Sequence, residues 1–477
     1  MVRPPDWKRL ALRRRIAIVG GGLAGIAAAL KLADADCQPI IIETRKILGG
    51  RATSFVDPRS GEVIDNCQHV LMGCCTNLID LYDRLGVLDK IDWHRKLYWT
   101  HSHGEIDCVK ASRLPAPFHL ALSFARMGLL QKNERKQIQR AMWRMIRLGA
   151  KGRLSWADRT FSEFLADTEQ TESTIAKFWN TVITSACNLG VDRVSAAHAI
   201  QVFQEGFLAN RWSYTMGLAS VPLVELYQSV GEVLKEAGGE IHLGRPARAI
   251  AYDGRRVTGV VTGDGVIEAA AVISTVPFDR LDKLISDTMR AADARLAALD
   301  RFEFSPILGV HLWFDQPIME LPHLILPGRG VQWLFNKGID EQGRQYIHAV
   351  ISAADEWMKL DEDEIIDRVV REIHDAMPKS VGLKPIQARS IKEKRATFAA
   401  TPQVEQWRPS ASAGYVGVSG GGIENLFLAG DWCDTGWPAT MEGAVRSGYA
   451  AAAAITGGDG LIEDVPPGRF ARWLGLR

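Results

Sequence analysis

One segment near the start of the chain constrains the fold more than any other. Arg15 to Val19 (RIAIV) is followed by Gly20, Gly22 and Gly25 in the order G-x-G-x-x-G, then by the run AAALKLA, then by PIII ending at Glu43. The apolar run reads as a buried strand and the alanine-rich run as a helix, with a second strand after it. The first glycine allows a tight turn, the second lets the backbone approach a pyrophosphate, and the third lets the helix pack on the strand. Leu23 and Ala24 fall in the first helical turn, whose unpaired N–H groups and positive dipole end favour an anion. Glu43, followed by Thr44, stands where a carboxylate accepts hydrogen bonds from ribose hydroxyls. The expectation is an α/β fold with a dinucleotide site.

The residues before this segment, MVRPPDWKRLALRRR, combine with IAIVGGGLAGIAAAL into something like a signal peptide. The glycine spacing argues for the dinucleotide loop instead. No apolar run has transmembrane length, so membrane contact is expected to be peripheral. With 477 residues and 47% hydrophobic content the chain provides for at least two domains. Its 57 basic and 56 acidic residues carry no global bias, so nucleic acid is not indicated as a partner. The seven cysteines form no CxxC pair and no metal-ligand spacing with the eleven histidines. Metal is therefore not expected, and scattered thiols fit a reducing, cytoplasmic setting. The doublet Cys74-Cys75 reads as packing at a helix start.

Near the other end, GDWCDTGWPATMEGAVRSG (Gly430 to Gly448) follows the apolar run NLFLA and leads into YAAAAAI. It reads as a strand stopping at Ala429, a polar turn, and a helix beginning near Thr440 or Met441. Its N–H groups are expected to face something anionic or electron-rich. Directly after the first βαβ unit stands ETRKILGGRATSF, with Gly49, Gly50, Arg51 and Ala52. In a nicotinamide dehydrogenase this position usually opens the next crossover; the doublet tips the choice toward a flavin.

GGGLAGIAAAL, the acid, LGGR and the C-terminal stretch together resemble the flavin-dependent amine oxidase and phytoene desaturase superfamily, from Arg15 to about Ile455. The resemblance implies FAD, in a Rossmann-type, glutathione-reductase-like domain with an inserted mixed α+β substrate domain and a helical membrane-facing region. The implied FAD-binding domain is discontinuous (14–96, 216–300 and 398–458), the substrate domain spans 97–215 and 301–397, and 459–477 is a tail. By the same resemblance the pyrophosphate lies at Gly20, Gly22 and Gly25, and the adenosine ribose at Glu43. Arg51 and its glycines lie beside the pyrophosphate and flavin, and Asp431, after Gly430, accepts from the ribityl chain. Met441 and its helical turn, Thr440, Glu442 and Ala444, face the flavin's pyrimidine edge. A helix N-terminus there stabilises the negative charge of a reduced flavin. In Glu240 to Asp279, short alternating segments with DGRR and GDG turns read as a β-meander, and AAAVISTVP as a strand returning to the sheet. Backbone groups near Ala247, where the superfamily usually has Val, are implied to contact adenine.

Four further segments narrow the resemblance: DNCQHVLMGCCTNLIDLYDRLG (65–86), TFSEFLADTEQ (160–170), KFWNTVITSACN (177–188) and KEKRATF. These resemble the squalene-associated FAD-dependent desaturases. The resemblance implies a C30 isoprenoid lipid substrate, with the hydroxyl of hydroxysqualene replaced by hydrogen from reduced flavin. Such a reaction needs an acid at the leaving oxygen. His69 is the candidate; the alternative is a structural histidine bonded to backbone, while Asp65 and Gln68 read as loop-forming. Cys67 stands where the family has Gly, and would be strained if that position has positive φ.

Between about Leu97 and Thr215 the pattern reads as mostly helical. Gln131 to Arg153 holds eight basic residues and one acidic. Ile138, Met142, Met145, Ile146 and Gly149 share one face and Arg140, Arg144, Arg147 and Lys151 the opposite one. Together with PAPFHLALSFARMGLL just before it, this region (116–153) suits an anionic membrane surface, the alternative being a surface helix packed on the core. Trp313, Phe314, Trp333 and Phe335 are candidate lining for an apolar cavity. A second nucleotide unit is not found, since VSGGGIEN lacks a following helix, so a separate flavin reductase or other donor is expected. Competing readings are a desaturase or oxidase of a carotenoid-like isoprenoid or an amine, and a non-enzymatic prenyl-lipid-binding chaperone of the same fold.

Overall fold

The computed structural model describes residues 14–101, 104–412, 422–458 and 460–476. Most of the basic N-terminal stretch and the glycines of VSGGGIEN up to Gly421 lie outside the described residues. Arg14–Val19, the helix Leu23–Asp34 and Cys37–Ile42 form the expected strand–helix–strand unit. Glycine 25 explains how closely it is wound: a Cβ there would stand 2.0 Å from the Gly20 carbonyl oxygen. Five parallel strands make the central sheet, in the order Glu240–His242, Cys37–Ile42, Arg14–Val19, Ala271–Ser274 and Leu426–Leu428. Numbered along the chain this order is 3-2-1-4-5, so the direction of winding reverses between Arg14–Val19 and Ala271–Ser274. A crevice opens at such a reversal, beyond the carboxyl ends of the two strands.

The segment Glu240 to Asp279 divides differently from its sequence pattern. Glu240–His242 pairs in parallel with Ile40–Ile42, and only Ala249–Tyr252, Val257–Thr262 and Gly265–Glu268 form the meander. A three-residue strand carries too little alternation to declare its neighbour; the β-branched Ile40–Ile42 edge captures it. The span after Leu97 likewise departs from the helical reading at its start. Lys96–Thr100 and Ile106–Lys110 pair with each other and extend a seven-stranded sheet, before the helices begin.

That sheet is otherwise built from Phe304–Phe314, His323–Ile325, Trp333–Ile339, Gln345–Ser352 and Gln387–Phe398. Side chains alternate across it. Leu308, Val310, Leu312, Leu334, Ile347 and Ile351 pack on Ile365, Val369 and Ile373 of the helix Glu362–Ala376. Ile307, Trp333, Phe335, Val350 and Ser352 fall on the opposite face, which lines a cavity. Of the four aromatic residues singled out above, Trp333 and Phe335 therefore line it. Phe314 is core under the helix, and Trp313 is buried against Tyr346 with ring centroids 4.7 Å apart.

The basic amphipathic segment forms the helix Lys132–Arg153, interrupted at Gly149. Its apolar face is spent within the protein: Ile138, Met145 and Ile146 are buried with Ile200 and Phe203 in the main core. The helix-on-core alternative is the one found, and its apolar stripe is not available to lipid. The basic side, Arg140, Arg144, Arg147 and Lys151, is exposed. Among the described residues no helix is long and apolar enough to cross a membrane. No group of three or more His, Cys, Asp or Glu that could hold a metal ion occurs among them either.

Three histidines fixed in this core set an acid limit. His119, His311 and His323 are 0% exposed, and burial lowers them to about 4, about 3 and about 4. Each is more easily protonated in the unfolded chain, near the ordinary value of about 6.5, so between that pH and about 4 the unfolded state binds more protons. Stability therefore falls as pH falls through this window, by up to about 1.4 kcal/mol per pH unit for each histidine. Urea midpoints are expected to drop markedly from pH 7 to pH 5; an unchanged midpoint would contradict this account.

Candidate functional site

The crevice at the strand reversal opens into one cavity of about 1200 Å³. At its polar end the turn after Arg14–Val19 is held from the neighbouring strand, where Thr275 Oγ1 donates to the carbonyls of Val19 and Gly20 at 2.9 and 3.0 Å. Gly20 has φ +111°, and a Cβ on it would stand 2.6 Å from that hydroxyl. At Gly22, by contrast, a Cβ would meet nothing nearer than Gly50 Cα at 3.7 Å. The free side of Gly22 is the cavity, which leaves a cradle where a pyrophosphate can meet backbone at the start of the helix. Gly49, with φ +101°, packs under Tyr227, whose ring would be 2.6 Å from an added Cβ.

The residues singled out from sequence converge here from both ends of the chain. Gly20, Gly22, Leu23, Ala24, Glu43, Thr44, Gly49, Gly50, Arg51, Ala52, Ala247, Gly430, Asp431, Thr440, Met441, Glu442 and Ala444 all border the cavity, as does His69. Gly25 lies behind the cradle and acts through packing. The C-terminal helix runs Met441–Thr456, with Thr440 as its cap: Gly443 N–H donates to Thr440 Oγ1 at 3.0 Å. Glu43 is fixed by backbone, accepting from Gly21 N–H at 2.6 Å and Arg45 N–H at 2.7 Å.

Three side chains are engaged differently from the sequence reading. Asp431 pairs with Arg51 at 2.5 Å, and Arg51 also donates to the Ala396 carbonyl. The carboxylate read as a ribityl acceptor is thus also one half of a largely buried ion pair. Glu442 borders the cavity, but its carboxylate caps another helix, accepting from Leu78 N–H and Asn77 Nδ2 at 2.8 Å. Burial raises its carboxyl against those donors. Cys67 is buried and is not among the described non-glycine residues with positive φ, so the anticipated strain does not arise. Its thiol is pushed up to about 12 by burial.

His69 Nδ1 donates to the Cys67 carbonyl at 2.9 Å, and burial lowers its pKa. This is the backbone-bonded arrangement of the structural alternative. A neutral ring so fixed leaves Nε2 as an acceptor, and acts as an acid only after taking up a proton. Asp65 serves the loop, accepting from Ser54 Oγ at 2.7 Å, Leu223 N–H and Lys337. Gln68 Nε2 donates to the His69 carbonyl.

The cavity is also lined by the apolar side chains of Val70, Met72, Leu97, Trp99, Phe207, Ile325, Trp333 and Phe335, with Asn188, Gln201 and Glu205 among them. Sequence reasoning missed Thr275 and the cations Arg45, Arg248, Arg280 and Lys283, which border the cavity, and Tyr227, which packs on Gly49. Thr275 follows directly on the strand Ala271–Ser274 that AAAVISTVP indicates, and the scattered cations carry no local signal.

The chain is similar to known proteins along most of its length. It is 25% identical to 15-cis-phytoene desaturase of Synechococcus elongatus, over 92% of this chain and 95% of that one. It is 27% identical to hydroxysqualene dehydroxylase of Sinorhizobium fredii, over 92% and 97%. Among solved structures, an oxidoreductase from Methanosarcina mazei superposes with a TM-score of 0.68 at 16% identity, covering 93% of this chain and all (100%) of that one. The residues of the cradle fit a flavin dinucleotide, and the cofactor is FAD. The flavin containing amine oxidoreductase profile matches residues 23–456, and the chain belongs to that family of FAD-dependent oxidoreductases.

Proposed function

We propose that this protein is a hydroxysqualene dehydroxylase, replacing the allylic hydroxyl of hydroxysqualene with hydrogen to give squalene. The observation that carries the reading is the cavity itself, in which a polar dinucleotide cradle shares one space with many aliphatic and aromatic side chains. Burial of a C30 chain against such side chains supplies binding energy at roughly 25 cal/mol per Å² of apolar surface. Similarity to a hydroxysqualene dehydroxylase over 92% of the chain supports the same substrate class. The segments 14–96, 216–300 and 398–458 hold the cofactor in this reading, and 97–215 with 301–397 hold the substrate.

Reduced FAD, when bound, supplies a hydride. The C–O bond breaks with its electron pair on oxygen, which takes a proton and leaves as water while the allylic carbon gains the hydride. The apolar lining aligns the chain and excludes bulk water, so the proton has to pass through a side chain. His69, with Nδ1 fixed on Cys67, has Nε2 left for that oxygen. In this reading it takes up the proton before giving it, and its lowered pKa makes the transfer to oxygen favourable. The electrons come from a separate reductase or donor.

Similarity to phytoene desaturases favours a second reading, in which a carotenoid-like chain in the same cavity would lose hydride to the oxidised cofactor. One experiment separates them. Under anaerobic conditions, chemically reduced holoenzyme mixed with hydroxysqualene in detergent is expected to give stoichiometric squalene and oxidised flavin, followed by absorbance and mass spectrometry. Flavin that stays reduced, with substrate recovered unchanged, returns the assignment to a desaturase.

A further inference from the structure

The helix Lys132–Arg153 buries its apolar stripe, yet the basic side it leaves in solvent adjoins an exposed aromatic pair contributed from the other end of the chain. The short helix Arg469–Leu474 is seated firmly: Ala471 is 0% and Leu476 3% exposed, Gly468 N–H donates to the Ala209 carbonyl at 2.8 Å, and Asn210 Nδ2 donates to Pro466 at 2.9 Å. Gly475 abuts the Lys132–Arg153 helix, since a Cβ on it would lie 3.2 Å from the Ile146 carbonyl oxygen. From this anchored base Trp473 stands 75% exposed and Phe470 39%, their rings stacked 5.5 Å apart. Phe470 also meets Phe118 at 5.8 Å, on the segment where Leu122 is 49% exposed. A tail would bury these rings or leave them unordered; here the core holds them out.

The segments around them are rich in positive charge, with Arg140 paired to Glu169 and Arg153 to Glu205. Residues 113–126, 135–155 and 465–476 carry eleven Lys and Arg and no Asp or Glu. The whole chain is nearly balanced, at +1, so the concentration is local. We infer that this surface, with Trp473 and Phe470 as its apolar anchor and Arg144, Arg147, Lys151 and Arg472 around it, docks the protein on an anionic lipid bilayer. Aromatic rings at the headgroup level with cations beside them are what an interface binds. Two copies of one cationic patch repel each other, which disfavours self-association, and exposed Leu122 has no counterpart in a phosphate backbone. The patch adjoins the cavity: Glu205, Gly206 and Phe207 line it, and Ala209 and Asn210, which hold the C-terminal helix, follow directly in the chain.

Co-sedimentation of the holoenzyme with vesicles tests this apart from any activity. The wild type is expected to pellet with phosphatidylglycerol–phosphatidylcholine vesicles and at least tenfold less with phosphatidylcholine alone. Phe470→Ala/Trp473→Ala is expected to weaken binding at least tenfold, and Arg144→Glu/Arg147→Glu to abolish it, with flavin content unchanged in both. If the double alanine variant folds poorly, Trp473→Ser at the more exposed site replaces it with the same expectation. Wild type left in the supernatant with anionic vesicles, or aromatic variants that pellet like wild type, would overturn the inference. So would a dimer in sedimentation velocity that the aromatic substitutions dissolve, which would make a second copy the occupant.

Discussion

Gly25→Ala is expected to yield a chain that purifies poorly and without flavin, destabilised by about 3 kcal/mol or more in urea unfolding. The added Cβ would stand 2.0 Å from the Gly20 carbonyl oxygen and 3.1 Å from Thr275 Oγ1. Neither neighbour can yield: the carbonyl belongs to the turn itself, and the hydroxyl is spent holding that turn through Val19 and Gly20. The helix must then lift off the strand, and with it the N–H groups of the cradle. Gly22→Ala is the control, because its Cβ would meet only Gly50 Cα at an ordinary 3.7 Å. That variant is expected to keep its folding stability within roughly 0.5 kcal/mol. It is expected to lose FAD affinity at least tenfold, about 1.4 kcal/mol, as the methyl occupies the cavity side. A Gly25→Ala protein as stable as Gly22→Ala would show that close helix–strand packing is not what this glycine provides.

Arg51→Ala is expected to cost about 3–5 kcal/mol of stability and most of the bound flavin. It removes the guanidinium from Asp431, whose side chain is 7% exposed while that of Arg51 is 29% exposed, and so leaves a buried carboxylate without its partner. The pair also joins the two ends of the site, residue 51 following the first βαβ unit and residue 431 preceding the helix Met441–Thr456. Adding Asp431→Asn to the Arg51→Ala background removes the stranded charge and is expected to restore a large part of the stability while leaving flavin retention impaired. Thermal and urea unfolding of the four combinations, with flavin quantified by absorbance, measures the coupling. A loss below roughly 0.5 kcal/mol in the single variant would mean that water replaces Arg51 without penalty.

The dinucleotide cradle is legible in the sequence because its instructions are local. Gly20, Gly22 and Gly25 act within one turn, Glu43 ends the next strand, and Thr440 caps the helix that follows its own turn. Each feature is a steric or hydrogen-bonding consequence of neighbouring residues, and neighbouring residues are what a sequence displays. The family resemblance drew on the same local signals at the two ends of the chain.

What the tertiary structure decided was, in each case, a choice of partner. Glu442 sits in a turn that points to a cofactor, yet caps the helix beginning at Thr76 because that N-terminus is brought against it. His69 donates to Cys67, which fixes its tautomer and reverses its immediate role from donor to acceptor at Nε2. Trp333 and Phe335 line the cavity while Phe314 fills the core, because the sheet is covered by a helix on one face and by the cavity on the other. The periodicity of Lys132–Arg153 established that one face is apolar, but the hydrophobic effect is non-directional, so no pattern along the chain could say whether protein or lipid covers that face. The fold gave it to Ile200 and Phe203, and gave the exposed aromatic role to Phe470 and Trp473 at the far end of the chain.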